Sequence, residues 1–150
     1  MTPEEGAAPQ VLVQDIGEVE LPYLKYDGNG APIVLLHATG FQPWLWHPIA
    51  LNLAAAHQVI APYFCDHRPS EPEKGGLNWM LLAQDLKNFC ERLGLAQPLM
   101  VGHSMGATVI TLAAGAFGLK AGGMILIEPI FLPEDFYRVL LSVDQHPLAS

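Results

Sequence analysis

The chain has 150 residues, 51% of them apolar and 15% charged, the proportions of one globular domain with a deeply buried core. Fifteen acidic against seven basic residues give a formal charge of −8, which argues against a nucleic-acid partner or an anionic membrane surface. The acidic start, Met1 to Glu5, lacks the apolar run of a signal peptide, and Cys65 and Cys90 lack metal-ligand spacing. A cytoplasmic chain with reduced thiols is the expectation.

Residues 1–9, with Pro3, Gly6 and Pro9, read as a flexible leader, and residues 10–150 as one domain. Val11 to Ile16 and Glu20 to Tyr26 are predicted to be two strands joined by a turn near Gly17 and Glu18. Ile33-Val34-Leu35-Leu36-His37 is an unbroken apolar run, the pattern of a strand buried on both faces. A loop from Ala38 to Trp44 leads to a helix from about Trp46 to Ala56, and Gln58 to Phe64 is the next strand. Asn78 is placed to cap a helix that runs to about Leu93. Its Leu81, Leu82, Leu86, Phe89 and Leu93 fall at helical spacing, and Gly94 stops it. Pro98 to Val101 reads as a strand, Ala107 to Ala114 as a helix, Met124 to Ile127 as a strand, and Pro133 to Val143 as the start of a further helix. Alternation of this kind predicts an α/β fold, a mostly parallel sheet with helices on both faces.

From Leu93 to Leu119 there is no Asp, Glu, Lys or Arg, a stretch long enough to span a bilayer. Pro98, His103, Ser104 and five glycines interrupt it, however, so a buried strand followed by a buried helix is the better reading. No membrane span is expected.

The chemistry centres on Gly102-His103-Ser104-Met105-Gly106, which has the form G-x-S-x-G between a strand and a helix. A serine on so sharp a turn is forced into a strained conformation that lifts its hydroxyl clear of the sheet. The flanking glycines are needed where any Cβ would collide across the turn. The helix N-terminus behind the serine offers N–H groups and a positive dipole end where an oxyanion would form. Ser104 is therefore the candidate nucleophile.

Four segments together resemble the α/β-hydrolase fold family over about Val11 to Pro133. Leu35-Leu36-His37-Ala38-Thr39-Gly40-Phe41 resembles the family's HG-x loop, and Asp66-His67-Arg68-Pro69-Ser70 an abbreviated D-x-R-G-x-G-x-S loop. Gly102 to Gly106 is the nucleophile elbow, and Ile125-Leu126-Ile127-Glu128-Pro129 resembles the strand end before the family's cap domain. The resemblance implies an oxyanion hole made by the backbone N–H groups of Thr39 and Met105. Here His37-Ala38 replaces the usual His-Gly, and the Asp66 loop lacks its G-x-G. Glu128, just beyond a strand end, is the candidate acid; some branches of the family place theirs there, and hydrogen bonding to loop backbone is its structural alternative. Asp66 reads as a loop-organising carboxylate.

A serine hydroxyl needs an imidazole to take its proton, and the family supplies one near its C-terminus, after strands that this chain lacks. Of the six histidines, His37 reads as a structural residue beside the oxyanion loop, and His47 and His57 as residues flanking the first helix. His67 is a loop residue, and His103 occupies an x position whose side chain is expected to point away from the hydroxyl. His146 could act only by folding back from the tail. None is well placed as a base.

Serine at the elbow indicates acyl transfer to a small-molecule ester, thioester, lactone or amide, or carbon–carbon cleavage beside a ketone. Family branches that attack alkyl carbons or epoxides usually carry aspartate there. Phe41, Trp44 and Trp46 could line an apolar acyl pocket, or pack the first helix against the sheet. No metal or organic cofactor is implied. Met124 to Ile127, as an apolar edge strand, is expected to favour self-association. Three readings therefore stand: the nucleophile-bearing part of a serine hydrolase, a non-catalytic binding module of the same fold, or a fragment.

Overall fold

The computed structural model describes residues 8–64, 67–68 and 78–130. Six strands of the described residues form one sheet: β1 (Gln10–Asp15), β2 (Glu20–Tyr26), β3 (Pro32–Leu36), β4 (Gln58–Pro62), β5 (Leu99–His103) and β6 (Gly123–Ile127). Their spatial order is β1-β2-β4-β3-β5-β6. β1 pairs antiparallel with β2 and β2 with β4, whereas every other pairing is parallel. The β1–β2 turn closes through Ile16 N–H donating to Val19 O at 3.0 Å, with Gly17 at φ +113°.

Among the described residues three α-helices cover the sheet: α1 (His47–Leu53), α2 (Trp79–Arg92) and α3 (Met105–Phe117). Side-chain alternation in the strands sends Val34, Leu36, Ile60 and Met100 to one face, where they meet Leu86 and Phe89 of α2 and Val109 and Ile110 of α3. Ile33, Leu35, Val59 and Ala61 point to the other face, against Trp46 and Ala50 at α1. The mostly parallel sheet with helices on both faces is as predicted. The Asn78 cap is also present, its Oδ1 accepting from Leu81 N–H at 2.8 Å.

Some element boundaries differ from expectation. The single helix predicted from Trp46 to Ala56 is a 3-10 turn over Pro43–Trp46 followed by the shorter α1. Pro43 and Pro48 lack the N–H that a continuous helix would use, so each sits at the start of its own segment. Conversely, β5 runs two residues beyond its predicted end, directly into Ser104. The leader through residue 7, Asp66 and the predicted helix from Pro133 to Val143 lie outside the described residues.

Among the described residues β6 has β5 as its strand partner, and Met124 to Ile127 are 36–62% exposed. No helix of the described residues is long and apolar enough to cross a membrane. Cys90 is a buried free thiol, pushed up to about 12 by burial and then by Glu91. A thiol so hard to ionise is a packing residue rather than a nucleophile.

Candidate functional site

Because β3, β5 and β6 are parallel, their C-terminal ends meet at one edge of the sheet, where ligand sites of open α/β folds collect. The register pairs Leu36 with Gly102 and His103 with Ile127. The Ala38–Phe41 loop, Ser104 and Glu128 therefore emerge side by side.

Ser104 has φ 54° and ψ −114° and separates the last residue of β5 from the first of α3. A left-handed backbone at a residue bearing a Cβ costs roughly 1–3 kcal/mol, and the surroundings must impose it. They do so at both ends: Ser104 N–H donates to Ile127 O at 2.9 Å, and Ser104 O accepts from Thr108 N–H at 3.2 Å. The glycines permit the turn. A Cβ on Gly102 would lie 2.6 Å from Ala107 N, and one on Gly106 would collide with Leu36 O. Gly106 thereby seats the start of α3 directly on the end of β3. The Ser104 side chain is half-buried, and its hydroxyl makes no hydrogen bond among the described residues.

Thr39 is exposed, on a turn closed by Phe41 N–H donating to Ala38 O at 3.1 Å. Gly40 supports this turn at φ +83°. Met105 opens α3, so its N–H belongs to the positive end of the helix dipole. Glu128, also left-handed at φ 48°, is 86% exposed at its side chain and lies 3.9 Å from His103 Nε2. The His103 ring is 6.3 Å from that of Phe41.

The three aromatic residues of the expected acyl pocket separate. Phe41 is 47% exposed beside His103. Trp44 donates its Nε1–H to Tyr63 Oη at 2.6 Å. Trp46 is buried in the cluster beneath α1, where it packs helix against sheet. Two cavities of about 370 and 300 Å³ open near the opposite end of the parallel strands, by Gln97 and Lys120 and by Gln58 and Gly94. Neither is lined by any candidate residue.

The described histidines have other engagements. His37 is buried, its Nδ1–H donating to Ala38 O at 2.8 Å while Nε2 accepts from Phe64 N–H at 2.9 Å. Both nitrogens are therefore committed, and the ring braces the loop after β3. His47 Nδ1 bonds Tyr26 Oη at 2.6 Å, and His57 Nδ1 donates to Ala31 O at 3.1 Å. His67 Nε2 donates to Asp85 at 2.9 Å, leaving its buried Nδ1 without a partner among the described residues. His146 lies outside them.

Asp85 anchors a buried charged network that no motif marks. It is buried on α2 and accepts from His67 Nε2 and, bidentately, from Arg68 Nε at 2.6 Å and Nη2 at 2.9 Å. Arg68 Nη2 also donates to Glu18 on the β1–β2 turn, at 3.1 Å. Burial alone would raise the Asp85 pKa. Hydrogen bonds from His67 and Arg68, with the Arg68 charge, outweigh it and hold the carboxyl below its ordinary value. The available signal was a carboxylate on the apolar face of a helix, between Leu82 and Leu86, which requires buried partners.

Residues 33–149 match the model of the alpha/beta hydrolase family. The acetyltransferase component of the acetoin cleaving system of Pseudomonas putida is 31% identical over 136 residues, 87% of this chain and 35% of that one. The soluble epoxide hydrolase of Corynebacterium sp. (strain C12) is 26% identical over 121 residues, 81% of this chain and 40% of that protein. Among solved structures, a thermophilic esterase from Thermogutta terrifontis superposes with TM-score 0.68 and 26% identity, covering 83% of this chain and 47% of its own. The chain thus spans between a third and a half of the length of these relatives. Coupled with the strand–elbow–helix geometry at Ser104, the family match leads to one conclusion: this chain belongs to the alpha/beta hydrolase family.

Proposed function

We propose that this chain carries the nucleophile and oxyanion hole of a serine hydrolase acting on an ester, thioester or related acyl compound. The observation that carries the proposal is Ser104 itself, held at φ 54° between β5 and α3 with its hydroxyl unbonded among the described residues. In the proposed reaction Ser104 Oγ attacks the acyl carbon as its proton passes to a general base. The Thr39 and Met105 N–H groups receive the oxyanion, and the leaving group departs with the base's proton. Water, deprotonated by the same base, then attacks the acyl-serine, releasing the acid and restoring the hydroxyl. Phe41 is proposed to contact the acyl group, and Glu128 to supply the acid that orients the base.

The base is proposed to come from the part of the family's domain that this chain does not span. The Corynebacterium relative is an epoxide hydrolase by name. Serine at the elbow favours acyl substrates, because opening an epoxide through a covalent ester requires a carboxylate nucleophile. Turnover assays with p-nitrophenyl esters and with styrene oxide, made on protein that includes the base-bearing part of the domain, separate the two. Ester hydrolysis without epoxide opening is expected; epoxide opening without ester hydrolysis would overturn the proposal.

A further inference from the structure

Ser104 and Glu128 are both non-glycine residues with positive φ, at 54° and 48°, and they follow the register pair His103 and Ile127 on adjacent strands. Thr108 touches both turns. It is buried one turn into α3, and its Oγ1 accepts from Ile130 N–H at 3.0 Å. The hydroxyl proton has two acceptors to choose between, Ile130 O at 3.2 Å and Ser104 O at 3.4 Å. A helical threonine ordinarily bonds the carbonyl four residues back; here the hydroxyl also takes hold of the backbone leaving β6. The bend Glu128-Pro129 is thus held at both ends, by Ser104 N–H on Ile127 O and by Thr108 Oγ1 on Ile130.

We infer that Thr108 is a positioning residue that acts through Ile130 to lock Glu128 beside the nucleophile, so that one helical turn sets both residues. This rests on the reading of Ser104 as nucleophile and Glu128 as acid. Thr108→Val has nearly the same shape but no hydroxyl, whereas Thr108→Ser restores the hydroxyl. Two readouts test the inference, both on protein that includes the base-bearing part of the domain. NMR couplings report the Glu128 backbone: T108V is expected to release it from positive φ with the α3 signals unchanged, and T108S to retain it. The rate of Ser104 labelling by a fluorophosphonate reports function. T108V and E128Q are each expected to slow it roughly tenfold, and the double variant no further, because the two losses share one route.

Additive losses, wild-type labelling in T108V, or an unmoved Glu128 in T108V would each overturn the role of Thr108. If wild-type Ser104 is not labelled at all, the nucleophile reading fails instead. The Glu128 backbone then still decides whether Thr108 is the tether.

Discussion

In protein that includes the base-bearing part of the domain, Ser104→Ala is expected to cut ester turnover by roughly 10⁴-fold or more, since the covalent route is lost and only binding and oxyanion stabilisation remain. The substitution should leave the fold intact, because alanine fits wherever serine does. Ser104→Gly is the more telling companion. Glycine occupies φ 54° without strain, so relief of the roughly 1–3 kcal/mol stored at the elbow should exceed glycine's extra unfolded-state entropy. A protein that is inactive yet up to about 1 kcal/mol more stable in urea denaturation is the expected result. Such a trade of stability for reactivity marks a residue held strained for its chemistry. A glycine variant less stable than wild type would show that the serine side chain contributes packing rather than strain.

The largest stability effect is expected at Asp85. Asp85→Ala leaves the Arg68 guanidinium and the fully buried His67 ring without their carboxylate. Removing one partner of a buried pair costs about 3–5 kcal/mol, a large share of the 5–15 kcal/mol typical of a domain. Arg68 is 16% exposed and can partly rehydrate, which places the loss toward the lower end. Asp85→Asn keeps the shape and one acceptor, and should lose less. Because folding lowers the Asp85 pKa, its contribution is complete above the ordinary carboxylate value near pH 4 and fades as pH falls through the lower folded value. The stability gap between wild type and D85N, read from denaturation midpoints, should therefore be widest near neutrality and shrink in acid. Equal midpoints at pH 7 would show that the network adds nothing to stability.

What the linear chain revealed was local. Ile33 to Leu36 reads as a doubly buried strand because an unbroken apolar run has no polar face to expose, and it lies at the centre of the sheet. Gly102 and Gly106 marked the elbow because close backbone approach admits no other residue, and the clashes at both positions bear that out. Contacts between distant segments left weaker traces. Asp85 meets Arg68 across 17 residues and Thr108 meets Ile130 across 22, and neither spacing has a periodic signature. Trp46 looked equally suited to a pocket or a core, and only the docking of α1 on the sheet assigns it to the core. Glu128, the candidate acid, was singled out by its place after a strand end and Thr39 and Met105, the candidate oxyanion positions, by family pattern; all three lie at the sheet edge that carries Ser104, while no described histidine bonds its hydroxyl.

The most direct test of Ser104 as nucleophile is mass mapping, after reaction with a fluorophosphonate, of protein that includes the base-bearing part of the domain. A single adduct is expected on the peptide containing Gly102 to Gly106, localised to Ser104 by fragmentation and absent from the alanine variant. Folded protein that stays unmodified, or that carries its adduct on another residue, would contradict it.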